Sequence, residues 1–188
     1  MMVIVFFFFT VQEQDRVIKD VKNPDNTITV VGQQWSWTFN YNYDAGSDDF
    51  KGKAVGSPVA HETPGTPADP PTLWLPKGET VEVHLYSPDV IHSFWVPAFL
   101  FKMDVVPGRQ AQNHFTLTPD RSGTFDGRCA ELCGVYHSRM LFKVKVVEPA
   151  EYDAHVAELA GKPDNAGPAV GDTDLNQEAG LEQNGASE

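Results

Sequence analysis

Between Cys129 and Met140 the chain reads Cys129-Ala-Glu131-Leu-Cys133-Gly134-Val-Tyr-His137-Ser-Arg-Met140, with two cysteines, one histidine and one methionine in twelve residues. A second histidine, His92, opens the apolar segment His92-Ser-Phe-Trp-Val-Pro97. Thiolate and thioether are soft ligands and imidazole is borderline, a set that suits copper, zinc or iron–sulfur, with the methionine tilting it to copper. One cysteine, two histidines and a weak methionine describe a mononuclear blue-copper site. Here a second cysteine is present. Two thiolates can bridge two copper ions, each of which then needs one imidazole and one weak outer ligand. His92, Cys129, Cys133, His137 and Met140 supply all but one weak ligand, a role open to a backbone carbonyl.

Two other readings compete. In an oxidising compartment Cys129 and Cys133 can form a disulfide. They can also join two histidines at zinc, but the usual H-x₃₋₅-H pair is missing, since His92 lies far upstream of His137. The joint pattern favours dinuclear copper over both. His61, His84, His114 and His155 lack such company and read as ordinary strand, loop or helix residues.

The elements that must hold these donors follow from periodicity. Residues 27–31 are mostly β-branched after the turn cluster Asn23-Pro24-Asp25-Asn26. In 35–43 the side chains of Trp35, Trp37, Phe39, Tyr41 and Tyr43 share one face of a strand. Further strands are expected at 73–75, 80–87, 91–96, 111–118, 123–127 and 141–147, the last with Phe142, Val144 and Val146 inward and Lys143 and Lys145 outward. His92 then comes from a strand, and the other four donors from a loop before the last strand, an arrangement that turns several side chains onto one point. Residues 44–71 are rich in Gly, Pro, Ala and Asp and read as an insertion loop.

The two ends are different in kind. Met1 to Phe9 are all apolar, about half of the roughly 20 residues that cross a bilayer as a helix. No basic residue precedes them and no small-residue cleavage site follows, so a signal peptide is a poor fit. A buried first strand is one alternative. Four consecutive phenylalanines favour instead the end of a transmembrane helix, over 1–14, whose start is missing. Residues 149–161 form a short helix started by Pro149 and stopped by Gly161-Lys162-Pro163. From 162 to 188 the chain is acidic and poor in aliphatics, and is expected to be disordered.

The cysteine segment matches, with no ligand missing, the C-x-E-x-C-G-x-x-H-x-x-M pattern of the binuclear copper (CuA) domain of cytochrome c oxidase subunit 2, in the haem-copper oxidase family. Gly32-Gln33-Gln34-Trp35-Ser36-Trp37 resembles that family's aromatic segment. Residues 89–97 resemble its strand with the first histidine, and residues 102–109 (Lys-Met-Asp-Val-Val-Pro-Gly-Arg) its K-x-D-x-x-P-G-R segment. The landmarks run through 30–147 in the family's order. Gln33 departs from the pattern, which usually has His there.

The resemblance implies a mainly β, cupredoxin-like Greek-key barrel over 27–147, after a two-helix membrane hairpin of which at most one end is present. It implies two copper ions bridged by Cys129 and Cys133, with His92 and His137 ligating one each, and Met140 and the Glu131 carbonyl as outer ligands. It implies electrons arriving from cytochrome c through Trp35 and leaving through His137 toward haem in oxidase subunit 1, where oxygen is reduced to water with proton pumping. The Glu131 side chain is implicated in a magnesium site at the subunit 1 boundary, an ion that takes oxygen ligands. Asp104 and Arg109 read as structural or interfacial. Asp89 is a candidate for steering a basic cytochrome, and the insertion 44–71, longer than in many members, for meeting a docking partner. Implied partners are the other oxidase subunits, cytochrome c and the membrane. The implied location is the plasma membrane, with the copper domain on its outer, periplasmic face.

The alternative is the copper domain of nitrous oxide reductase, which carries Trp where this chain has Glu131 and follows a large propeller. A quinol oxidase subunit lacks the thiolates, and a soluble copper chaperone needs neither the apolar stub nor the aromatic segment. Charge excludes a nucleic-acid coat. The chain has 14 Lys+Arg against 26 Asp+Glu, a net of −12 and no basic footprint. Ten acids against one lysine fall in 148–188, a net of −9, so the body carries only −3.

Overall fold

The computed structural model describes residues 1–18, 22–46, 50–65, 69–109 and 112–170, without the side chains of Arg16 and Val17. Twelve strands follow helix α1 (Met2–Ile18): β1 (Asn26–Gln33), β2 (Ser36–Tyr41), β3 (Tyr43–Asp44), β4 (Lys53–Ala54), β5 (Ala60–His61), β6 (Thr72–Pro76), β7 (Val81–Tyr86), β8 (His92–Val96), β9 (Phe101–Val105), β10 (His114–Leu117), β11 (Gly123–Cys129) and β12 (Leu141–Val147). Helix α2 (Pro149–Ala160) comes after them. Two five-stranded sheets form, in the orders β10-β7-β1-β2-β5 and β6-β12-β11-β8-β9. Pairing is antiparallel except for β1 with β7 and β6 with β12. The fold is mainly β and cupredoxin-like, as the resemblance implied.

Alternation builds the core. Ile28 and Val30 of β1, Trp37, Phe39 and Tyr41 of β2, and Val81, Val83 and Leu85 of β7 meet Phe94, Phe142, Val144 and Val146 of the second sheet. Phe142 lies at the centre, with ring centroids 4.8 Å from Phe94 and 5.2 Å from Trp37. Burying side chains of this size is the main favourable term in folding. Helix α2 adds a stripe of Tyr152, Val156 and Leu159, and His155 stacks on Trp74 at 3.9 Å while bonding Glu62 at 2.6 Å.

Four differences from the sequence reading appear. Strand β9 was not anticipated, although 101–105 alternates. Its Lys102 and Asp104 face out from a sheet edge, where charged residues discourage further pairing. The insertion 44–71 is not a free loop, because its described parts cover the outer face of the first sheet. The Ala45 amide donates to Thr29 Oγ1 at 3.2 Å, and Ser36 Oγ donates to the Gly65 carbonyl at 3.0 Å. Residues 162–170 are not loose either. The His61 amide donates to the Asn165 carbonyl at 2.9 Å, and Asn40 pairs with both backbone groups of Ala169 at 2.7 and 2.9 Å. Counting aliphatics missed this because polar groups, the backbone and the Asn165 side chain, rather than apolar surface make the attachment. Residues 171–188 lie outside the described residues. Finally, α1 runs to Ile18 rather than ending at 14, and its side chains from Met2 to Phe9 are all exposed. Among the described residues no helix is long and apolar enough to cross a membrane.

Candidate metal centre

Strand register brings the donors together. His92 is the first residue of β8 and Cys129 the last of β11, and these strands pair with Cys129 opposite Phe94. The ladder continues into the loop, where the Ala130 amide donates to the Ser93 carbonyl and the Cys129 amide to the Met140 carbonyl, each at 3.0 Å. A 3-10 turn, His137–Arg139, then returns the chain to β12 and turns Met140 inward. Both ends of the loop are thus fastened to sheet.

The donor atoms form two similar halves. The Cys129 and Cys133 sulfurs lie 3.8 Å apart, far beyond the roughly 2.05 Å of a disulfide, so both are free thiols. Cys129 Sγ has His92 Nδ1 at 4.0 Å and the Glu131 carbonyl oxygen at 3.2 Å. Cys133 Sγ has His137 Nδ1 at 3.6 Å and Met140 Sδ at 3.9 Å. Each thiol therefore meets one imidazole nitrogen and one weak donor. His92, both cysteines and Met140 are buried, and His137 is half-buried.

The two thiols share one hydrogen bond. It pulls the ionisation of Cys129 down to about 3, against the effect of burial, and pushes the Cys133 thiol up, with burial adding to the rise. A buried sulfur pair of this kind accommodates one negative charge and resists a second unless a cation joins it. Soft sulfur, imidazole and thioether donors fit copper in that role.

Asp89 takes a place that sequence reasoning did not give it. One carboxylate oxygen accepts from His92 Nε2 at 2.8 Å and from the Val90 amide at 2.6 Å, and the other accepts from the Gln34 amide at 2.7 Å. Burial raises its ionisation, but these bonds, His92's first, bring it below the usual carboxylate value. Burial likewise lowers His92, and the Asp89 bond and then Cys129 reverse this to a net rise. The pair leaves Nδ1 of His92 facing the thiols, the usual service of a carboxylate behind a metal-binding imidazole. Asp89, expected as a candidate for steering a basic cytochrome, thus has a local role as well: its oxygens hold this corner. The turn Ser87-Pro-Asp89-Val, closed by Ser87 Oγ donating to the Val90 carbonyl at 2.6 Å, was the available signal.

The remaining residues are placed as follows. Trp35 is half-buried, donates its indole N–H to the Cys133 carbonyl at 3.2 Å, and meets Tyr136 edge-on at 5.0 Å. Gln34 Nε2 donates to the same carbonyl at 2.6 Å, a contact the sequence reading missed. Gln33 is buried and donates to Thr38 Oγ1 at 2.9 Å, on the sheet face away from the thiols. Glu131 is exposed, with its carbonyl toward Cys129. Asp104 sits 3.5 Å from Lys102, and Arg109 is exposed. His84 lies between Asp44 and Glu82 and faces His114 on the neighbouring strand, His61 bonds Gly167, and His155 of α2 packs on Trp74 and Tyr41. None of the four joins the thiols.

Comparison with known proteins adds identity to the geometry. The family described as cytochrome c oxidase subunit II, periplasmic domain, matches residues 26–147. A probable cytochrome c oxidase subunit 2 of Streptomyces avermitilis is 48% identical over 84% of this chain and 56% of its own length. The cytochrome c oxidase subunit 2 of Mycobacterium tuberculosis is 33% identical over 86% of the chain and likewise 56% of its length. The chain thus spans a little over half the length of these relatives. The crystal structure of the periplasmic domain of subunit II of the Bradyrhizobium japonicum cytochrome oxidase superposes with a TM-score of 0.59 at 29% identity, covering 76% of this chain and 98% of that one.

Proposed function

The chain belongs to the cytochrome c oxidase subunit II family, and from that premise we propose that it is the electron-accepting subunit of a haem-copper oxidase, built around a binuclear copper centre. The observation that carries this reading is the paired donor set, in which two thiols 3.8 Å apart each face one imidazole Nδ1 and one weak donor. Cys129 and Cys133 would hold both copper ions between them, with His92 and the Glu131 carbonyl on one side and His137 and Met140 on the other. Bound copper supplies one-electron redox chemistry shared over two ions. The protein's part is to bury the donors, exclude water and keep them where they are as the charge changes.

Trp35 is the point of electron arrival. Its indole reaches from a half-buried site to the carbonyl of Cys133, which makes it a contact between surface and ligand. His137, the less buried imidazole, is the point of departure toward haem in subunit 1, where oxygen reduction and proton pumping take place. The exposed Glu131 carboxylate is available to magnesium at that boundary. Cytochrome c is the donor, and the other oxidase subunits are permanent partners. The exposed apolar side chains of α1 fit the end of a membrane segment, with the β domain on the periplasmic side. The match to the oxidase family and the residue Glu131 support this reading over nitrous oxide reductase.

Copper content with an electron paramagnetic resonance spectrum tests the proposal. Two coppers per chain and a delocalised mixed-valence signal are expected. One copper with a localised blue-copper signal, or zinc alone, overturns it.

A further inference from the structure

The peptide between Cys133 and Gly134 has little packing on its outer side to orient it. Gly134 has no side chain and is exposed, and the flanking Leu132 and Val135 are 79% and 82% exposed. Gly134 also sits at φ +124°, where backbone rotation meets little steric resistance for glycine alone. The carbonyl of this peptide belongs to Cys133, so fixing it restrains ψ at the residue that carries the second thiol. On that outer side, hydrogen bonds to its carbonyl do the holding.

We propose that Gln34 is a positioning residue of the metal centre: its carboxamide pins the Cys133 carbonyl and thereby the direction of the Cys133 sulfur. The inference rests on the copper reading of the site. The contact is short, 2.6 Å from Nε2 to the carbonyl oxygen. Because a carbonyl only accepts, the amino end of the side chain must face it. The Trp35 indole donates to the same oxygen at 3.2 Å, so two donors converge on one acceptor. Of the two, Gln34 makes the closer contact.

Gln34 is itself held from behind. Its amide donates to one oxygen of Asp89 at 2.7 Å, and the other oxygen of Asp89 accepts from His92 Nε2 at 2.8 Å. The backbone of Gln34 is therefore tied to one ligand-bearing segment and its side chain to the other. His92 and Cys133 reach the centre from separate elements, and Gln34 is a strut between them. Space at the joint is fitted to it: a Cβ on Gly134 would stand 3.2 Å from Gln34 Nε2 and 3.0 Å from the Trp35 ring. The same strut sets the Trp35 indole against Cys133, so the position of the input residue and the shape of the metal site are adjusted by one side chain.

The test uses the full chain as wild type, Gln34→Met and Gln34→Glu. Methionine keeps the length without the donor, and glutamate sets an acceptor against an acceptor. In the metal-free proteins the carbon-13 shift of the Cys133 carbonyl is expected to move upfield in both variants, as it does when a hydrogen bond to a carbonyl is lost. In the copper-loaded proteins the copper hyperfine pattern should change. Loss of copper to a chelator should speed up about tenfold for Gln34→Glu, equivalent to about 1.4 kcal/mol, and less for Gln34→Met. If both variants match wild type in carbonyl shift, hyperfine pattern and chelator rate, the role is overturned and Gln34 only fills space. If wild type itself takes up no copper pair, the copper reading fails separately, and the metal-free carbonyl shift alone still decides whether Gln34 holds Cys133.

Discussion

Two irregular stretches of this chain, the loop 129–140 and the insertion 44–71, do opposite things. The loop is short and carries nearly all of the donor atoms, and three kinds of restraint bind it: strand ladder at both ends, a 3-10 turn, and hydrogen bonds from the Gln34–Trp35 turn. The insertion is longer and carries no donor. Its described parts lie on the outer face of the first sheet, where Thr29, Thr38 and Asn40 are fully buried although polar. Residues 162–170 join it there. One stretch is held so that side chains meet at a point. The other does the holding, by satisfying buried polar groups that would otherwise cost stability. Irregular chain in a β domain is thus no guide to function until its hydrogen bonds are followed.

If the two regions have separate roles, changes in one should leave the other's property untouched. The largest effect is expected from Cys133→Ser, which should abolish copper binding while the metal-free protein still melts within a few degrees of wild type, read by metal analysis and calorimetry. A large loss of metal-free stability instead would mean that the loop also holds the fold. Next is Asn40→Ala in the covered face. It removes both bonds to Ala169 and should cost about 2 kcal/mol in denaturant unfolding with an unchanged copper spectrum. A shifted spectrum would join the two regions.

Trp35→Phe is expected to slow cytochrome c oxidation about tenfold, some ~1.4 kcal/mol of barrier, without altering the copper spectrum, since Gln34 keeps its shorter bond to Cys133. Unchanged turnover would remove Trp35 from the path. The smallest effect concerns pH in the metal-free protein. The lowered Asp89 contributes stability above its unfolded value near pH 4, lost as pH falls through the folded value. The raised His92 contributes stability below its unfolded value near pH 6.5, lost as pH rises through the folded value. The lowered Cys129 adds a rise with pH across this range, so the pair is read from the difference in melting temperature between wild type and Asp89→Asn. That difference should be greatest between about pH 4 and about 6.5 and shrink on either side, and a difference independent of pH would remove the pair as its source.

Much of the β framework was legible because alternation is a local property. Phe142, Val144 and Val146 point inward and their neighbours outward wherever β12 is placed. Strand β9 alternates just as plainly, but over only five residues between Pro97 and Pro107-Gly108, a run too short for periodicity to tell strand from loop. The fate of 162–170 was not legible, since its backbone groups and the Asn165 side chain are held by Asn40, His61 and Thr63, partners far back in the chain that no local pattern links to it. The bond from His92 to Asp89 was hidden for a related reason. A carboxylate in a turn looks the same in sequence whether its oxygens face solvent or a histidine three residues on.

The sequence by itself determined the donor types and most of their spacing. Thiolate, imidazole and thioether chemistry resides in the side chains, and four of the donors lie on one short loop whose ends are strands. Only the tertiary structure decided how they pair. It set Cys129 with His92 and Cys133 with His137, turned Nδ1 of both histidines toward sulfur, and braced the loop through Gln34, Trp35 and Asp89. Three of those contacts, His92 to Cys129 and Gln34 and Trp35 to Cys133, join segments far apart in the chain, and their geometry is fixed by strand register and core packing, which no local pattern encodes.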